Sequence, residues 1–266
     1  MLDLEFAELS DTGRSRERNE DFLGHVLPAS PAQVHSQGWL FALADGLGGH
    51  EHGDVASRTA VETILASFRK LPKGVMHASL LPRLVQEANA AVYDTGHARH
   101  SRGPSMGSTL IACALRFDSA VIAHVGDSRG YLFRAGALSA LTRDHTMADE
   151  QMRLGILSKK QSANDESRHM LTRSLGTDLF VAADTITVNV LPGDLLLLCS
   201  DGLHGYVADT NIQRILKAQS SIGDAAKALV AAANDTGGHD NVSVQLIRVR
   251  SVERMGLYRG RPYRLL

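Results

Sequence analysis

Four aspartates in this 266-residue chain stand where an apolar run meets glycine, and that pairing is the first sign of chemistry. The run 39–44 leads into Asp45-Gly46-Leu47-Gly48-Gly49, and the run 195–200 into Asp201-Gly202-Leu203-His204-Gly205. The run 121–125 leads into Gly126-Asp127-Ser128-Arg129, while Gly237-Gly238-His239-Asp240-Asn241 opens an apolar run instead of closing one. A buried strand fixes the Cα of its last residue, and a flanking glycine lets the backbone turn sharply with no Cβ to clash. Carboxylates held this way at one sheet edge can converge on a point. Left alone they repel one another and their pKa values rise; a divalent cation removes the penalty. An all-oxygen ligand set favours Mg²⁺ or Mn²⁺ over Zn²⁺. One Asp-Gly pair is ordinary turn chemistry, but four such motifs point to a metal site. A fifth segment, Arg16-Glu17-Arg18-Asn19-Glu20-Asp21, adds paired acids and an arginine whose planar fork suits a phosphate oxyanion. By itself it reads as a solvated charged turn.

The elements that must position these residues are legible as short apolar runs bounded by Gly, Asp or Pro. Strands are predicted over 4–9, 22–27, 39–44, 109–115, 120–125, 131–134, 181–190, 195–199 and 242–249. Helical spacing, as in Val61, Ile64, Leu65 and Phe68, predicts helices over 54–69, 77–100, 210–218 and 222–234. The strands between 109 and 141 follow one another too closely for crossover helices, so they pair antiparallel. Strand groups separated by helix pairs give an α+β fold, with sheet packed on sheet and helices outside. The polar stretch 144–170, which includes Lys159-Lys160, reads equally as a surface excursion and as a flap beside a site.

Composition narrows the rest. A formal net charge of −1 gives no global attraction to nucleic acid or anionic lipid. The acidic N-terminus is unlike a secretory leader, and the run 195–199 is far too short to span a bilayer. Cys113 and Cys199 both lie in strand-like runs and read as buried free thiols, which suits a reducing cytoplasm.

Taken in order, the motifs resemble those of the PP2C family of metal-dependent protein serine/threonine phosphatases, in its bacterial form. The resemblance runs through Arg16 with Asn19-Glu20-Asp21, Asp45-Gly46-Leu47-Gly48-Gly49-His50, Gly107-Ser108-Thr109 and Gly126-Asp127-Ser128-Arg129. It continues through Asp144-His145-Thr146, Leu171-Thr172-Arg173-Ser174-Leu175-Gly176, Ser200-Asp201-Gly202 and Asp240-Asn241, covering about residues 4–249. It implies a four-layer α-β-β-α sandwich: two central, mainly antiparallel sheets flanked by helix pairs, plus a flap subdomain. The phosphatase domain is expected over 1–250, the flap over about 144–170, and a basic tail over 251–266. That tail contains Tyr258 and Tyr263 and is expected to be disordered or surface-packed.

The same resemblance implies roles. Asp45 bridges two metals, Asp201 and Asp240 complete the first site, and Glu20 with the Gly46 carbonyl serves the second. Asp21 orients a metal-bound water, Arg16 grips the substrate phosphate, and Asp127 with Asp201 forms a third, weaker site. The cofactors are then Mn²⁺ or Mg²⁺, and a metal-bridging hydroxide attacks phosphoserine or phosphothreonine. Animal members carry a histidine directly after the Asp-Gly pair as the proposed general acid; Leu47 stands there in this chain. The expected partner is a phosphorylated protein, a Ser/Thr kinase or its targets in signalling or secretion control, with no nucleic acid, no membrane and a monomeric enzyme. Competing readings are a phosphatase of a phosphoserine anti-anti-sigma regulator and a phosphopeptide-binding pseudophosphatase. His50, His52, His145, His204 and His239 raise a zinc hydrolase, but their spacing matches no closed zinc ligand set.

Overall fold

The computed structural model describes residues 1–47, 52–71, 74–99, 106–158, 161, 165–253, 255–258 and 261–264. The chain begins with β1 (Asp3–Asp11), β2 (Asp21–Val26), α1 (Pro31–Ser36) and β3 (Trp39–Asp45), then α2 (Gly53–Arg69) and α3 (His77–Arg99). Four strands follow: β4 (Leu110–Arg116), β5 (Ser119–Val125), β6 (Arg129–Arg134) and β7 (Ala137–Ala140). After α4 (Met147–Arg153) and a 3-10 turn (Glu166–His169) come β8 (Asp184–Asn189) and β9 (Leu195–Cys199). Three helices, α5 (Asp201–His204), α6 (Asp209–Ala218) and α7 (Ile222–Asp235), lead to β10 (Val242–Ser251). A hairpin of β11 (Met255–Tyr258) and β12 (Arg261–Arg264) follows.

Two five-stranded sheets form, in the orders β1-β10-β9-β6-β7 and β2-β3-β4-β5-β8. Every pairing within them is antiparallel. The alternation of strand side chains decides how they stack. On β3, Phe41 and Leu43 point toward the other sheet and meet Ile111, Ile122, Leu196, Leu198 and Ile247. Their neighbours Ala42 and Ala44, with Ala112 and Ala114, face α2 and α3 instead. Alanine on that face lets the helices approach closely. On β9, Leu197 and Cys199 turn the opposite way, into the layer with α6 and α7. Burying each large side chain stabilises by ~1.5–3 kcal/mol, so a strand turned over by one residue would lose several of them at once. The expected four-layer α-β-β-α sandwich is the observed fold.

The differences from the sequence reading are local. The predicted strand 181–190 shortens to β8 because its partner β5 ends at Val125, and the ladder begins where Asp184 faces His124. The short elements α1, β7 and α4 were not legible as periodicity. In the tail, expected to be disordered or surface-packed, β11 and β12 pair as a hairpin. The segment 144–170 leaves and rejoins the body through an isolated bridge between Thr146 and Leu171. Gly48, Gly49 and His50, and Lys159 with Lys160, lie outside the described residues. No helix among those described is long and apolar enough to cross a membrane.

Candidate metal centre

The strand ends bring the acids together. Asp21 opens β2 and Asp45 closes β3, and the two are register partners across the ladder. Asp127 follows β5, Asp201 opens α5 immediately after β9, and Asp240 precedes β10. Arg16, Glu20, Asp45, Gly46, Asp127, Asp201 and Asp240 all line one cleft of about 340 Å³. Asp21 is not among the lining residues; it is buried beside them.

Backbone bonds fix this arrangement. The Asp45 N–H donates to Thr109 Oγ1 at 2.9 Å, and the Asp45 carbonyl accepts from the Thr109 N–H at 2.8 Å. Thr109 Oγ1 also meets Ser128 Oγ at 2.7 Å, tying the Asp45 turn to the Asp127 turn. Gly46 is required sterically, because a Cβ there would stand 2.2 Å from the Gly53 carbonyl oxygen at the start of α2. Gly53 in turn lies against the Glu20 carboxylate, which faces the positive end of a 17-residue helix. Asn241 clamps the loop carrying Arg16 and Glu20. Its Nδ2 donates to the Thr12 and Arg18 carbonyls at 2.9 Å each, and its Oδ1 accepts from the Glu20 N–H at 2.8 Å.

The charges are frustrated. Burial first, then the neighbouring carboxylates, pushes Asp21 up to about 7. Burial and the charges of Asp21, Asp201 and Asp127 drive Asp45 well above the usual carboxylate range. Asp127 rises likewise through burial and Asp201, and Asp201 rises through burial and Asp240. Arg16 is bonded to Asp240 at 2.9 Å. Asp21 Oδ2 accepts from Ser200 Oγ at 2.7 Å. Asp21 Oδ1 and Asp201 Oδ1 are buried with no hydrogen-bond partner among the described residues. Orphaned carboxylate oxygens in a cluster of acids fit hard divalent cations with oxygen ligands. The residues present therefore suit Mn²⁺ or Mg²⁺.

The family model of protein phosphatase 2C matches residues 13–236. The chain belongs to the protein phosphatase 2C family. It is 36% identical over 255 residues to a serine/threonine phosphatase, stp, of Listeria welshimeri, covering 95% of this chain and 96% of that one. The structure resembles the catalytic domain of the serine/threonine phosphatase PstP in complex with two manganese ions, with a TM-score of 0.78 and 30% identity. That match covers 94% of this chain and 99% of the other. It also resembles PppA of Pseudomonas aeruginosa, described as a key regulatory component of the type VI secretion system. There the TM-score is 0.75 at 29% identity, covering 92% of this chain and 97% of the other. The activity of this phosphatase 2C member is accordingly that of a bacterial protein-serine/threonine phosphatase, metal-dependent as its family is.

The histidines of the zinc alternative sort themselves by hydrogen bonding. His50 is outside the described residues. His145 and His204 each spend a ring nitrogen on the backbone of the Gly126–Asp127 turn. His124, His145 and Asp184 place donor atoms within 4.8 Å of one another, a constellation apart from the carboxylate cleft. Leu47 lines the cleft where animal relatives carry histidine; His169 and Tyr206 line it too. Reading the sequence missed the positioning roles of Thr109, Ser200 and Asn241. All three sit inside quoted motifs, so the signal was their place beside an acid.

Proposed function

We propose that this phosphatase hydrolyses phosphoserine and phosphothreonine in proteins with two core divalent cations and a third, weaker one, and that it opposes a bacterial Ser/Thr kinase. The observation that carries the reading is the convergence of Asp45, Asp201, Asp127 and Asp240 on one cleft, with buried carboxylate oxygens left unpartnered. In this reading Asp45, Asp201 and Asp240 would hold one core ion, Asp45, Glu20 and the Gly46 carbonyl would hold the other, and Asp127 with Asp201 would hold the third. Bound cations supply an acidified water as nucleophile and offset the charge of the phosphate.

The chain's own groups do the rest. Arg16, 42% exposed at its side chain, turns its fork from Asp240 toward a phosphate entering the cleft. Asp21 is anchored by Ser200 and orients the attacking water from beneath the cleft. Leu47 offers no proton, so the leaving serine or threonine oxygen takes one from water or from the cleft rim. The segment 144–170 acts as a flap, with His169 at the cleft. Buried free Cys113 and Cys199 suit a cytoplasmic setting. A secretion role draws support from the likeness to PppA.

The test is turnover of phosphothreonine and phosphoserine peptides by protein stripped of metal and reloaded with Mn²⁺ or Mg²⁺. Activity with both peptides, restored by metal and absent with phosphotyrosine, is expected. A wild-type protein inactive across both titrations would sink the reading. Phosphopeptide binding without turnover would assign the pseudophosphatase role instead.

A further inference from the structure

The Gly126–Asp127 turn is held from two sides by histidine rings. His145 is 6% exposed; its Nδ1 accepts from the Gly126 N–H at 3.1 Å, and its own backbone N–H donates to the Gly126 carbonyl at 3.0 Å. From the other side, His204 Nε2 lies 2.9 Å from the Asp127 carbonyl oxygen and donates to it. His204 closes the short helix that Asp201 opens, so this bond links the two acids that line the cleft together. Gly126 itself admits no side chain: its φ is +99°, and a Cβ would meet Thr109 Cγ2 at 2.6 Å.

The tautomers follow from these contacts. A neutral imidazole has one N–H and one lone pair. His145 spends its lone pair on Gly126, so in the neutral ring Nε2 carries the proton and points to Asp184 Oδ2 at 3.3 Å; Arg173 Nη1, also 3.3 Å from Nε2, then stands beside it without donating to it. Asp184 Oδ1 is taken by Arg173 Nη1 at 2.7 Å. This argues against a metal at His124, His145 and Asp184: the facing nitrogen of His145 has no lone pair to give, and a guanidinium occupies the carboxylate. His124 instead stacks on His145, with ring centroids 4.6 Å apart and planes 22° apart, and limits its rotation. His204 Nε2 faces the Asp127 carbonyl oxygen, which can only accept, so that nitrogen carries an N–H and spends it on Asp127.

We propose that His145 and His204 are positioning residues of the metal centre: they clasp the Gly126–Asp127 backbone and thereby set the affinity for the cation shared by Asp127 and Asp201. The proposal rests on the assignment of Asp127 as a ligand. Neither histidine touches the substrate or the cation; each acts through the peptide that carries the carboxylate.

The test reads Mn²⁺ binding directly, from the electron paramagnetic resonance signal of free Mn²⁺ titrated into metal-stripped full-length protein, beside turnover. Asp127→Ala should remove the weakest binding step. If it leaves every step unchanged, the ligand assignment fails before the clasp is tested, and wild-type turnover separately tests the phosphatase reading. His145→Ala and His204→Ala should each weaken the weakest step by ~10-fold or more, the scale of changes behind a metal ligand, and leave the tighter steps within about twofold. Conservative variants then discriminate. Asn Oδ1 replaces an Nδ1 acceptor and Gln Nε2 replaces an Nε2 donor, so His145→Asn and His204→Gln should restore the weak step. The swapped His145→Gln and His204→Asn should not. Alanine variants that bind like wild type, a loss spread equally over all steps, or no difference between matched and swapped variants would overturn the proposal. Should His145→Ala fail to fold, Asp184→Ala, at a site with a 47% exposed side chain, decides for His145: about threefold weakening supports it and no change overturns it. Tight equimolar Zn²⁺ binding abolished by His124→Ala would also overturn it, because His145 Nε2 would then be a ligand.

Discussion

Two acid-rich regions lie side by side at this sheet edge and are built on opposite principles. In the segment after β7, acids meet arginines: Asp144 takes a two-pronged bond from Arg129 at 2.8 and 2.7 Å, Asp149 meets Arg143 at 3.1 Å, and Asp184 meets Arg173 at 2.7 Å. The arginines hold Asp144 and Asp184 below the usual carboxylate range against the opposing effect of burial. In the cleft next to them, Asp21, Asp45, Asp127 and Asp201 are all pushed up by burial and by each other. The first region carries its own counter-charges; the second must import them. That difference separates a scaffold from a metal centre more sharply than acid content does, since both regions are rich in aspartate.

The largest effect that follows lies at Asp45. Asp45→Asn should lower turnover with Mn²⁺ by on the order of a thousandfold, because it removes the shared ligand. In EDTA the same variant should melt at a higher temperature than wild type, since one buried like charge is gone. Lower stability in EDTA would break the comparison, by making Asp45 structurally paired after all.

The opposite sign is expected across the boundary. Asp144→Ala leaves the Arg129 guanidinium, with a 29% exposed side chain, without its carboxylate. Removing one partner of a largely buried pair should destabilise by about 3 kcal/mol, with or without metal, read by denaturant unfolding. An Asp144→Ala protein as stable as wild type would show that the arginine finds another partner, and the scaffold would not be self-sufficient.

The sequence made the two regions unequally readable. Asp45, Asp127, Asp201 and Asp240 announce themselves because each sits at the end of an apolar run with glycine within two residues, a local signal that survives without the fold. The sandwich was legible for the same reason: alternation along β3 and β9 assigns each face. Nothing local marks Arg129 as the partner of Asp144, or His204 as a donor to Asp127, because those contacts are made by turns 15 and 77 residues apart in sequence. The hairpin β11–β12 escaped for a different reason, since two four-residue strands, one interrupted by glycine and the other by proline between arginines, are too short to show an apolar period.

The smallest effect separates the regions by pH alone. A carboxylate whose folded pKa is raised binds protons in the folded protein while the unfolded chain has lost them, so stability falls as pH rises toward the folded value. With Asp21 at about 7 and Asp45 and Asp127 well above the ordinary range, the metal-free protein should gain ~3 °C or more in Tm from about pH 8 to about pH 6.5. Asp144 and Asp184 are silent in that window: their pKa values are lowered, and their stabilisation is lost only on acidification below the ordinary carboxylate range. Buried histidines offset part of the gain in this window: His77 and His124 near 4 and His204 near 3 stay neutral in the folded protein while the unfolded chain takes up protons around pH 6.5. Saturating Mn²⁺ should flatten the gain, because the cation replaces the protons that the cluster takes up. Buried thiols and every other group outside the cleft are common to both titrations, so the difference between them isolates the cleft. A gain equally steep with Mn²⁺ present would place the titrating groups elsewhere and remove the contrast between the two regions.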